Sequence, residues 1–540
     1  MAIKTQTRIA PATDTNGQRI GNGLFATGNI HKGDDVLIVD APFVAAVEEK
    51  LLKRVCSGCF DTSRPGKVDV QGLVRGCVRC KVVYYCDKTC QLKDWKRGHS
   101  LECPIYARLS PRVLPLNVRA VLRILLRQRS GKVSREEKDD YESFLELCFP
   151  DAKHARDGLD LFLLAKAVQE YGGLQELEQG FIASVFGRLD LNSFTLTSAF
   201  GNTRGVYLHP YTARFNHSCD YNATYSFDRG GKCYVKAIRP IQKDEQIFIP
   251  YTDSTFSVGT RRKELYERFK FQCNCSKCTH ETNSTPETQI QNRAREEQDA
   301  GRAIDAIFKD YHPIHDAADV VVGGGGSTLT TRLTNLLHAS EAKCDWETVS
   351  RQRQPLASIR VDLMGAQHTA CKFMDLTLNA AIQHLRIDPG MYPDENHPVR
   401  RTNAFGFAQY AFCAWEGRHG DRSVDEADHV LLHAQLNLGV IVCISSSSSS
   451  RRLSGGGDKK KGAEEGEGMI VWPNPSFKEE AMRFLSAITL HCQENGIVRG
   501  REMDGLIMHN WRKLEVLVDA TLRREMGLAP RPARDEDLDL

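Results

Sequence analysis

A short block between residues 56 and 103 carries seven cysteines and one histidine at metal-ligand spacing. The order is C-x2-C, 17 residues, C-x2-C, five residues, C-x3-C, eight residues and H-x3-C. Eight sulfur and nitrogen donors suffice for two tetrahedral sites of the kind that Zn2+ prefers. The block is too short to bury a core of its own, so metal binding should supply much of its folding free energy. The eight predicted ligands are Cys56, Cys59, Cys77, Cys80, Cys86, Cys90, His99 and Cys103.

The bulk composition is ordinary for a soluble protein. The chain has 540 residues, 41% apolar and 26% charged, with a net charge of +3. This length requires several domains, and the small net charge gives no overall basic field that would indicate nucleic-acid binding. The first residues lack the apolar stretch of a signal peptide, and the chain has no long apolar run, so we expect no membrane association. In a reducing compartment, clustered cysteines indicate metal binding or catalysis rather than disulfides.

A second cysteine group lies far downstream, in the stretch FKFQCNCSKC. Cys273, Cys275 and Cys278 form C-x-C-x2-C, one ligand short of a closed tetrahedral site. Cys219, in the stretch RFNHSCDYN, is a plausible fourth ligand by its spacing. Its neighbour His217 leaves another interpretation open, in which a histidine-activated Cys219 thiol is a nucleophile.

Apolar patterns divide the remaining chain into strand-like and helical regions. Residues 1–50 and 192–251 contain short runs such as TYSF and CYVKAI between Gly, Asn and Asp turns, which predicts strands. Helical spacing of apolar residues begins at Val118 and continues to about residue 190, and it returns after residue 287. One such stripe, which includes Leu514, Val518 and Leu522, predicts a buried helix face. Two low-complexity segments are predicted to be flexible insertions, at 323–328 and 445–468.

Together these motifs resemble the SET and MYND domain-containing lysine methyltransferases, over residues 20–280. The finger, with YYC at 84–86 and DWKRGHSLEC at 94–103, is similar to a MYND finger. NHSC, the later IFIPY and the C-x-C-x2-C are similar to a SET domain with its post-SET zinc segment, and Gly-Asn-Gly at 21–23 is similar to its cofactor loop. The resemblance implies an α+β fold. An irregular SET-type β core is split by the finger and a helical insert, and is followed by the zinc segment and an all-α tetratricopeptide-like domain.

The resemblance also implies domain boundaries and zinc ligands. The implied domains are an N-terminal SET part at 1–50, the MYND finger at 51–103, the helical insert at 104–190, the SET core with the active site at 191–260, the post-SET segment at 261–285 and the helical C-terminal domain at 286–540. Three Zn2+ ions are implied, held by Cys56, Cys59, Cys86 and Cys90, by Cys77, Cys80, His99 and Cys103, and by Cys219, Cys273, Cys275 and Cys278.

By position, the resemblance implies transfer of methyl groups from S-adenosylmethionine to the side-chain amine of lysine in a histone or another protein. Tyr251 is the implied active-site tyrosine, and it lines the lysine channel with Phe269. The implied cofactor contacts are Asn22, Asn192, Asn216, His217 and Phe271. Lysine in water has a pKa of about 10.4, and an apolar channel beside a sulfonium favours its neutral form, so no general base is obligatory.

Two departures from the family pattern leave a second function open. Ile20 stands where many relatives have arginine, and KDEQI at 243–247 lacks the usual glycine and second acid. Both favour an alternative in which the SET scaffold is catalytically weak or inactive. The chain would then be an adaptor or transcriptional regulator that binds peptide motifs through its finger.

The expected partners follow from the same resemblance. They are a protein substrate lysine and, at the MYND finger, proline-containing peptides. Between residues 50 and 103 twelve Lys and Arg stand against five Asp and Glu, which leaves a weak contact with DNA open. We expect a monomer, located in the nucleus and cytoplasm.

Overall fold

The computed structural model describes residues 3–13, 17, 19–61, 74–149, 158–199, 201–309, 324–343, 354–418, 473–494 and 514–525. The chain divides into two compact units. The first unit is Met1–Tyr251 with Pro473–Lys478, and the second is Thr252–Trp472 with Glu479–Leu540. Within the described ranges no helix combines the length and the apolar character needed to cross a membrane. The predicted insertion at 445–468 lies outside the described residues.

The strands of the first unit form several small sheets. They are β1 (Ile3–Thr5), β2 (Thr7–Thr13), β3 (Arg19–Ala26), β4 (Asp35–Val39), β5 (Val44–Val47), β6 (Arg75–Gly76), β7 (Tyr84–Tyr85), β8 (Phe194–Thr197), β9 (Thr203–Leu208), β10 (Asn216–His217), β11 (Ala223–Asp228), β12 (Lys232–Ala237) and β13 (Phe248–Ile249). The largest sheet has the order β1-β4-β12-β11, and another has the order β5-β9-β8. The remaining sheets are the pairs β2-β3, β6-β7 and β10-β13, of which only the last is parallel among the described strands. The strands predicted at TYSF and CYVKAI are confirmed as the antiparallel pair β11-β12.

Helices separate the two groups of strands in the sequence. They are α1 (Lys88–Asp94), α2 (Ser100–Leu109), α3 (Leu116–Ser130), α4 (Arg135–Leu145), α5 (Gly158–Gly172) and α6 (Gln179–Asn192), with a π turn at Trp95–His99 and 3-10 turns at Glu49–Leu51 and Thr212–Arg214. Helix α3 follows Pro115 and stops at Gly131, whose φ of 64° is the left-handed conformation that glycine favours. Val121 and Leu125 of α3 belong to the same buried cluster as Leu37 of β4 and Tyr207 of β9. The helix α3 and the strands β4 and β9 therefore share one core.

The described part of the second unit is helical. Its helices are α7 (Val258–Phe269), α8 (Ser276–Ser284), α9 (Glu287–Lys309), α10 (Gly324–Glu341), α11 (Leu356–Thr369), α12 (Phe373–Ile382), α13 (Asp388–Met391) and α14 (Pro398–Arg418), with a π turn at Gln383–Ile387. The chain also forms the helix Pro475–Glu494 and a helix at 514–525. The predicted apolar stripe is confirmed, because Leu514, Val518 and Leu522 are buried.

Helix α10 begins at Gly324, inside the segment that the sequence predicts to be a flexible insertion. Glycine lowers helix propensity, so composition alone argues against a helix at this position. Further along the same helix, Leu329, Leu333 and Leu337 are buried in the core of the unit. Burial of this face outweighs the low propensity of the first turn.

Candidate functional site

Four cysteines of the finger form the first group that could hold a metal ion. Their Sγ atoms lie within 4.8 Å of one another, and the residues are Cys56, Cys59, Cys86 and Cys90. Asp87 caps helix α1 and accepts a hydrogen bond from the Cys90 amide at 2.8 Å, which fixes Cys90 in the first turn. A side chain at Gly58 would collide with the Cys90 carbonyl, so the glycine permits the close approach. The Gly58 and Cys86 amides each donate to Cys56 Sγ at 3.4 Å, an arrangement that suits a thiolate.

The second group combines three cysteines with a histidine. Its members are Cys77, Cys80, His99 and Cys103, all buried, with their ligand atoms within 4.8 Å of one another. The β6-β7 hairpin flanks the first two ligands, and the last two lie on the π turn and α2. Gly98, with a φ of 148°, makes the kink that directs His99 inward. His99 Nε2 lies 3.7 Å from Cys80 Sγ, so this nitrogen faces the thiols.

Both groups fit zinc. Each offers four sulfur or nitrogen donors, which is a closed tetrahedral set without an open position for substrate. The two groups interleave along the chain, and the structure brings together the same fours that the family resemblance implies. Such closed sites stabilise a fold rather than catalyse a reaction.

A third cysteine-rich site that could hold zinc includes Cys273, Cys275 and Cys278 of the second unit. Helix α7 holds this segment through two arginines. Arg261, which is only 1% exposed, donates to Cys278 Sγ at 3.4 Å and to a Glu281 carboxylate oxygen at 3.0 Å. Arg262 donates to the Cys273 carbonyl at 3.1 Å. The three thiols are three of the four donors of a tetrahedral site, and the assignment of Cys219 as the fourth stays a prediction.

The NHSC stretch lies at the short parallel pair β10-β13, where Asn216 is opposite Phe248 and His217 is opposite Ile249. Asn222 holds this pair together from a fully buried position. Its side chain donates to the Gln246 carbonyl at 2.9 Å and accepts from the Phe248 amide at 2.8 Å. Asn222 is a positioning residue whose role the sequence analysis did not predict.

The partners of His217 fix the tautomer of its imidazole. Nδ1 accepts a hydrogen bond from the Tyr251 amide at 2.9 Å, so in the neutral ring the proton is on Nε2. Nε2 lies 3.3 Å from Cys219 Sγ and therefore donates to the sulfur. A nitrogen that already carries a proton cannot take one from the thiol. The geometry thus argues against a histidine-activated Cys219 nucleophile and suits a Cys219 thiolate.

Tyr251 is attached to the same stretch at two points. Besides the bond from its amide to His217, its hydroxyl donates to the Phe215 carbonyl, and its ring lies 5.4 Å from the His217 ring between centroids. Burial raises the pKa of Tyr251 above its ordinary value of 10, so the side chain is a neutral phenol at physiological pH. The hydroxyl hydrogen therefore points at the Phe215 carbonyl.

The predicted cofactor loop crosses this stretch. The Asn216 side-chain amide donates to the Asn22 carbonyl at 3.3 Å. A Cβ at Gly23 would collide with the Gln246 side chain and lie 2.8 Å from the Asn216 amide nitrogen. Glycine at this position therefore lets two polar side chains approach the strand closely. The structure brings Asn22, Asn216, His217 and Tyr251 together through direct contacts.

Asn192 has a different environment at the end of α6. Its amide nitrogen donates to the Arg188 carbonyl and to the Cys148 carbonyl, each at 2.8 Å. Both contacts brace backbone, and the predicted role of Asn192 in cofactor binding stays a prediction. In the second unit, the rings of Phe269 and Phe271 lie 6.5 Å apart at the end of α7, and their predicted roles also stay predictions.

The structure explains one departure from the family pattern. Asp244, where glycine is usual, has a φ of 64°, the left-handed conformation that glycine adopts without steric cost. Aspartate tolerates this conformation better than most residues, and Arg8 binds its carboxylate at 2.8 Å. Glu245 is the acid that the family pattern has after this position, and its carboxylate accepts a hydrogen bond from the Asn222 side-chain amide at 3.0 Å. The KDEQI turn is therefore accommodated.

Comparison with known proteins shows similarities over this same region. The SET domain family model matches residues 21–252. SET domain and MYND-type zinc finger protein 6 of Schizosaccharomyces pombe is 30% identical over 269 residues, which are 50% of this chain and 52% of that protein. The human histone-lysine N-methyltransferase SMYD3 is 30% identical over 48% of this chain and 59% of its own length. The histone-lysine N-methyltransferase ASHR1 of Arabidopsis thaliana is 26% identical over 48% and 53%, respectively. The chain thus spans about half the length of the curated relatives it matches.

Proposed function

We propose that this chain is a member of the SET and MYND domain-containing protein family and that it transfers methyl groups from S-adenosylmethionine to the side-chain amine of lysine in proteins. One observation supports this proposal above the others. Tyr251, a half-buried neutral phenol, is fixed by Phe215 and His217 next to the Asn22–Asn216 contact. Relatives that match over the same region are named histone-lysine N-methyltransferases.

The residues present fit the cofactor. Asn22 and Asn216 offer neutral hydrogen-bonding groups, and the lack of a Cβ at Gly23 lets the Asn216 and Gln246 side chains lie close to the loop. S-adenosylmethionine carries positive and negative charges, and its reacting sulfur is positive. Neutral hydrogen-bonding groups suit this ligand because they do not form an ion pair with the sulfonium. When bound, S-adenosylmethionine supplies a methyl group activated by a sulfonium.

The residues of the chain then need only to orient the lysine amine and keep it neutral. The Tyr251 oxygen accepts a hydrogen bond from the amine, which directs the nitrogen lone pair away from the phenol. Burial around Tyr251 disfavours a charged ammonium, so the amine loses its proton before it reacts. Alignment supplies most of the rate, and no side chain has to act as a general base.

The finer assignments belong to the same proposal. Cys219 completes the third zinc site, residues 51–103 are a MYND finger that binds proline-containing peptides, and the helices after residue 286 are a tetratricopeptide-like domain. The post-SET segment is the region 261–285 with its three cysteines. The protein acts as a monomer in the nucleus and cytoplasm. Any contact of the finger with DNA is weak.

One observation favours the alternative function as an adaptor. Gln246, which stands where relatives have a second acid, has a buried amide nitrogen without a hydrogen-bond partner among the described residues. This amide lies where a Cβ of Gly23 would be, at the edge of the predicted cofactor loop. If the amide blocks the loop, the SET scaffold binds no cofactor and only the finger is functional.

Calorimetry with S-adenosylmethionine on the zinc-loaded protein distinguishes the two functions. The methyltransferase proposal predicts saturable binding with one cofactor per chain. Absence of binding at millimolar cofactor, in protein that still melts cooperatively, would instead support the adaptor. Circular dichroism of the same sample shows whether the protein is folded.

A further inference from the structure

A buried arginine of the helical insert contacts two carboxylates of the finger. Arg123, on α3, donates through Nε and Nη2 to the two oxygens of Glu102, each at 2.7 Å. Its Nη1 donates to Asp94 at 2.9 Å. The Arg123 side chain is 12% exposed, and each carboxylate is only 1% exposed. This is a bidentate ion pair with an additional charged partner, almost removed from water.

Each of the two carboxylates in turn faces a finger residue. Asp94 accepts a hydrogen bond from the Tyr85 hydroxyl at 2.7 Å, and Tyr85 lies on the β7 strand, next to the ligand Cys86. A Glu102 oxygen lies 3.6 Å from Nδ1 of His99. The other ring nitrogen of His99 faces Cys80 Sγ. The order in space is therefore Arg123, Glu102, His99 and then the thiols of the second metal group.

This order has a physical consequence for a bound metal. A carboxylate beside the outer nitrogen of a ligating histidine fixes the tautomer and the ring orientation, and it makes the inner nitrogen a better donor. Glu102 can do this only as a buried anion, and Asp94 places a second buried carboxylate on the same arginine. A buried anion without a cation beside it is strongly disfavoured, and Arg123 is the cation that contacts both carboxylates.

We propose that Arg123 is a positioning residue for the zinc ligand His99, acting through Glu102. The Cys77, Cys80, His99 and Cys103 group then depends on a helix that lies outside the finger. The helical insert is part of the zinc-binding structure of this protein as well as a segment between two parts of the SET fold. This inference does not rest on the proposed methyl transfer, because it concerns metal retention alone.

Helix α3 offers a matched control. Arg127 is one turn along from Arg123, is 17% exposed and forms its ion pair with Glu137 of α4, on the same insert. Arg127 thus resembles Arg123 in helix position, burial and pairing with a carboxylate. It differs in that its carboxylate partner belongs to the insert rather than to the finger.

The test is zinc release from the full-length, zinc-loaded protein to a chromophoric chelator. Arg123→Met should release one equivalent of zinc about 10–100-fold faster than the wild type, in line with the loss of metal affinity that is typical when a partner of a ligating histidine is removed. The release of the other zinc ions should be unchanged. Arg127→Met should release zinc at the wild-type rate. In cobalt-substituted protein, Arg123→Met should lose the absorption of a site with three thiolates and one imidazole, and it should keep the absorption of an all-thiolate site.

Two further variants separate positioning from general destabilisation. Glu102→Gln keeps the side-chain volume and should accelerate release from the same site, even if Arg123→Met fails to fold. Arg123→Lys keeps the charge and should restore part of the wild-type rate. Equal acceleration of every zinc, or wild-type release in both Arg123→Met and Glu102→Gln, would overturn the proposal.

Discussion

The protonation states of single side chains in this protein follow from what surrounds them. Tyr251 is a phenol because burial raises its pKa, and His217 carries its proton on Nε2 because Nδ1 accepts from a backbone amide. In the helical unit, Glu341 and Glu525 share one buried arginine, Arg360, at 3.5 and 2.7 Å. Two carboxylates on one cation leave an excess negative charge in a buried place.

This arrangement predicts a pH dependence of stability. Burial, followed by the charge of Glu525, raises the pKa of Glu341 from 4.5 to about 7. Between these pH values the folded state keeps a proton that the unfolded state has lost, so the free energy of unfolding falls as pH rises from 4.5 to 7. Glu341→Gln should remove this loss and be more stable than the wild type at pH 8, by on the order of 1–3 kcal/mol.

Urea unfolding of both proteins at pH 4.5 and at pH 8 measures the effect. At pH 4.5 the two should differ little, because the glutamate is then largely protonated when folded. A Glu341→Gln protein that is less stable than the wild type at pH 8 would show that the Arg360 contact outweighs burial.

Strand β3 contributes to the site because Gly23 has no side chain. It pairs with β2 along its length, yet at Gly23 it passes directly beside the Asn216 and Gln246 side chains. Helix α7 instead contributes through two side chains, which hold the cysteine segment 273–278. Arg261 and Arg262 of α7 contact the Cys273–Cys278 turn. At the N-terminus of α7, the Ser257 amide donates a hydrogen bond to the Glu297 carboxylate of α9 at 3.1 Å.

Gly23→Ala should therefore impair cofactor binding more than folding. The colliding atoms belong to the ends of two side chains, so they can move without a change of the backbone. The displaced Asn216 amide would no longer reach Asn22. We therefore expect S-adenosylmethionine to bind about tenfold more weakly, which corresponds to the loss of one hydrogen bond of about 1.4 kcal/mol. Calorimetry measures the affinity and thermal melting measures the stability.

Gly28→Ala is the matched control, because a Cβ at Gly28 meets nothing within 4 Å. It should leave both affinity and melting temperature unchanged. If Gly23→Ala bound S-adenosylmethionine with wild-type affinity, the cofactor would not bind at the Gly23 loop.

For the molecule as a whole, zinc is expected to hold distant parts of the sequence together. The finger ligands span 48 residues, and the cysteines at 273–278 follow Cys219 by more than 50. Because each ion joins such distant segments, metal removal should cost the protein more than the loss of any one packing contact.

Cys219→Ser tests the ligand assignment that stays a prediction. If Cys219 is a ligand, the variant should contain one zinc fewer per chain than the wild type by elemental analysis, and it should bind S-adenosylmethionine more weakly. Cys233→Ser is the control, because Cys233 is a buried core residue of β12 outside every cysteine group. An unchanged zinc content in Cys219→Ser would remove Cys219 from the ligand set.

The sequence was informative where chemistry imposes a spacing. The finger ligands could be located because each pair is separated by two or three residues, and the β11-β12 strands because their apolar residues are bounded by turns. Arg123 could not be singled out, because arginines at helical spacing are usually solvated and its partners belong to another domain. The roles of Asn222 and Asp244 could not be predicted for a related reason. Their roles depend on a buried position and on a positive φ, which only the folded backbone defines.

The most direct test of the proposed activity is methyl transfer itself. The zinc-loaded protein is incubated with isotopically labelled S-adenosylmethionine and a cell extract, and labelled lysines are located by mass spectrometry. We predict labelled lysine side chains with the wild type, and a loss of about 100-fold or more with Tyr251→Phe, which removes the oriented hydroxyl but keeps the ring. Tyr251→Phe should still melt cooperatively and bind cofactor. No labelled lysine with cofactor-bound wild type, or full transfer by Tyr251→Phe, would contradict the account.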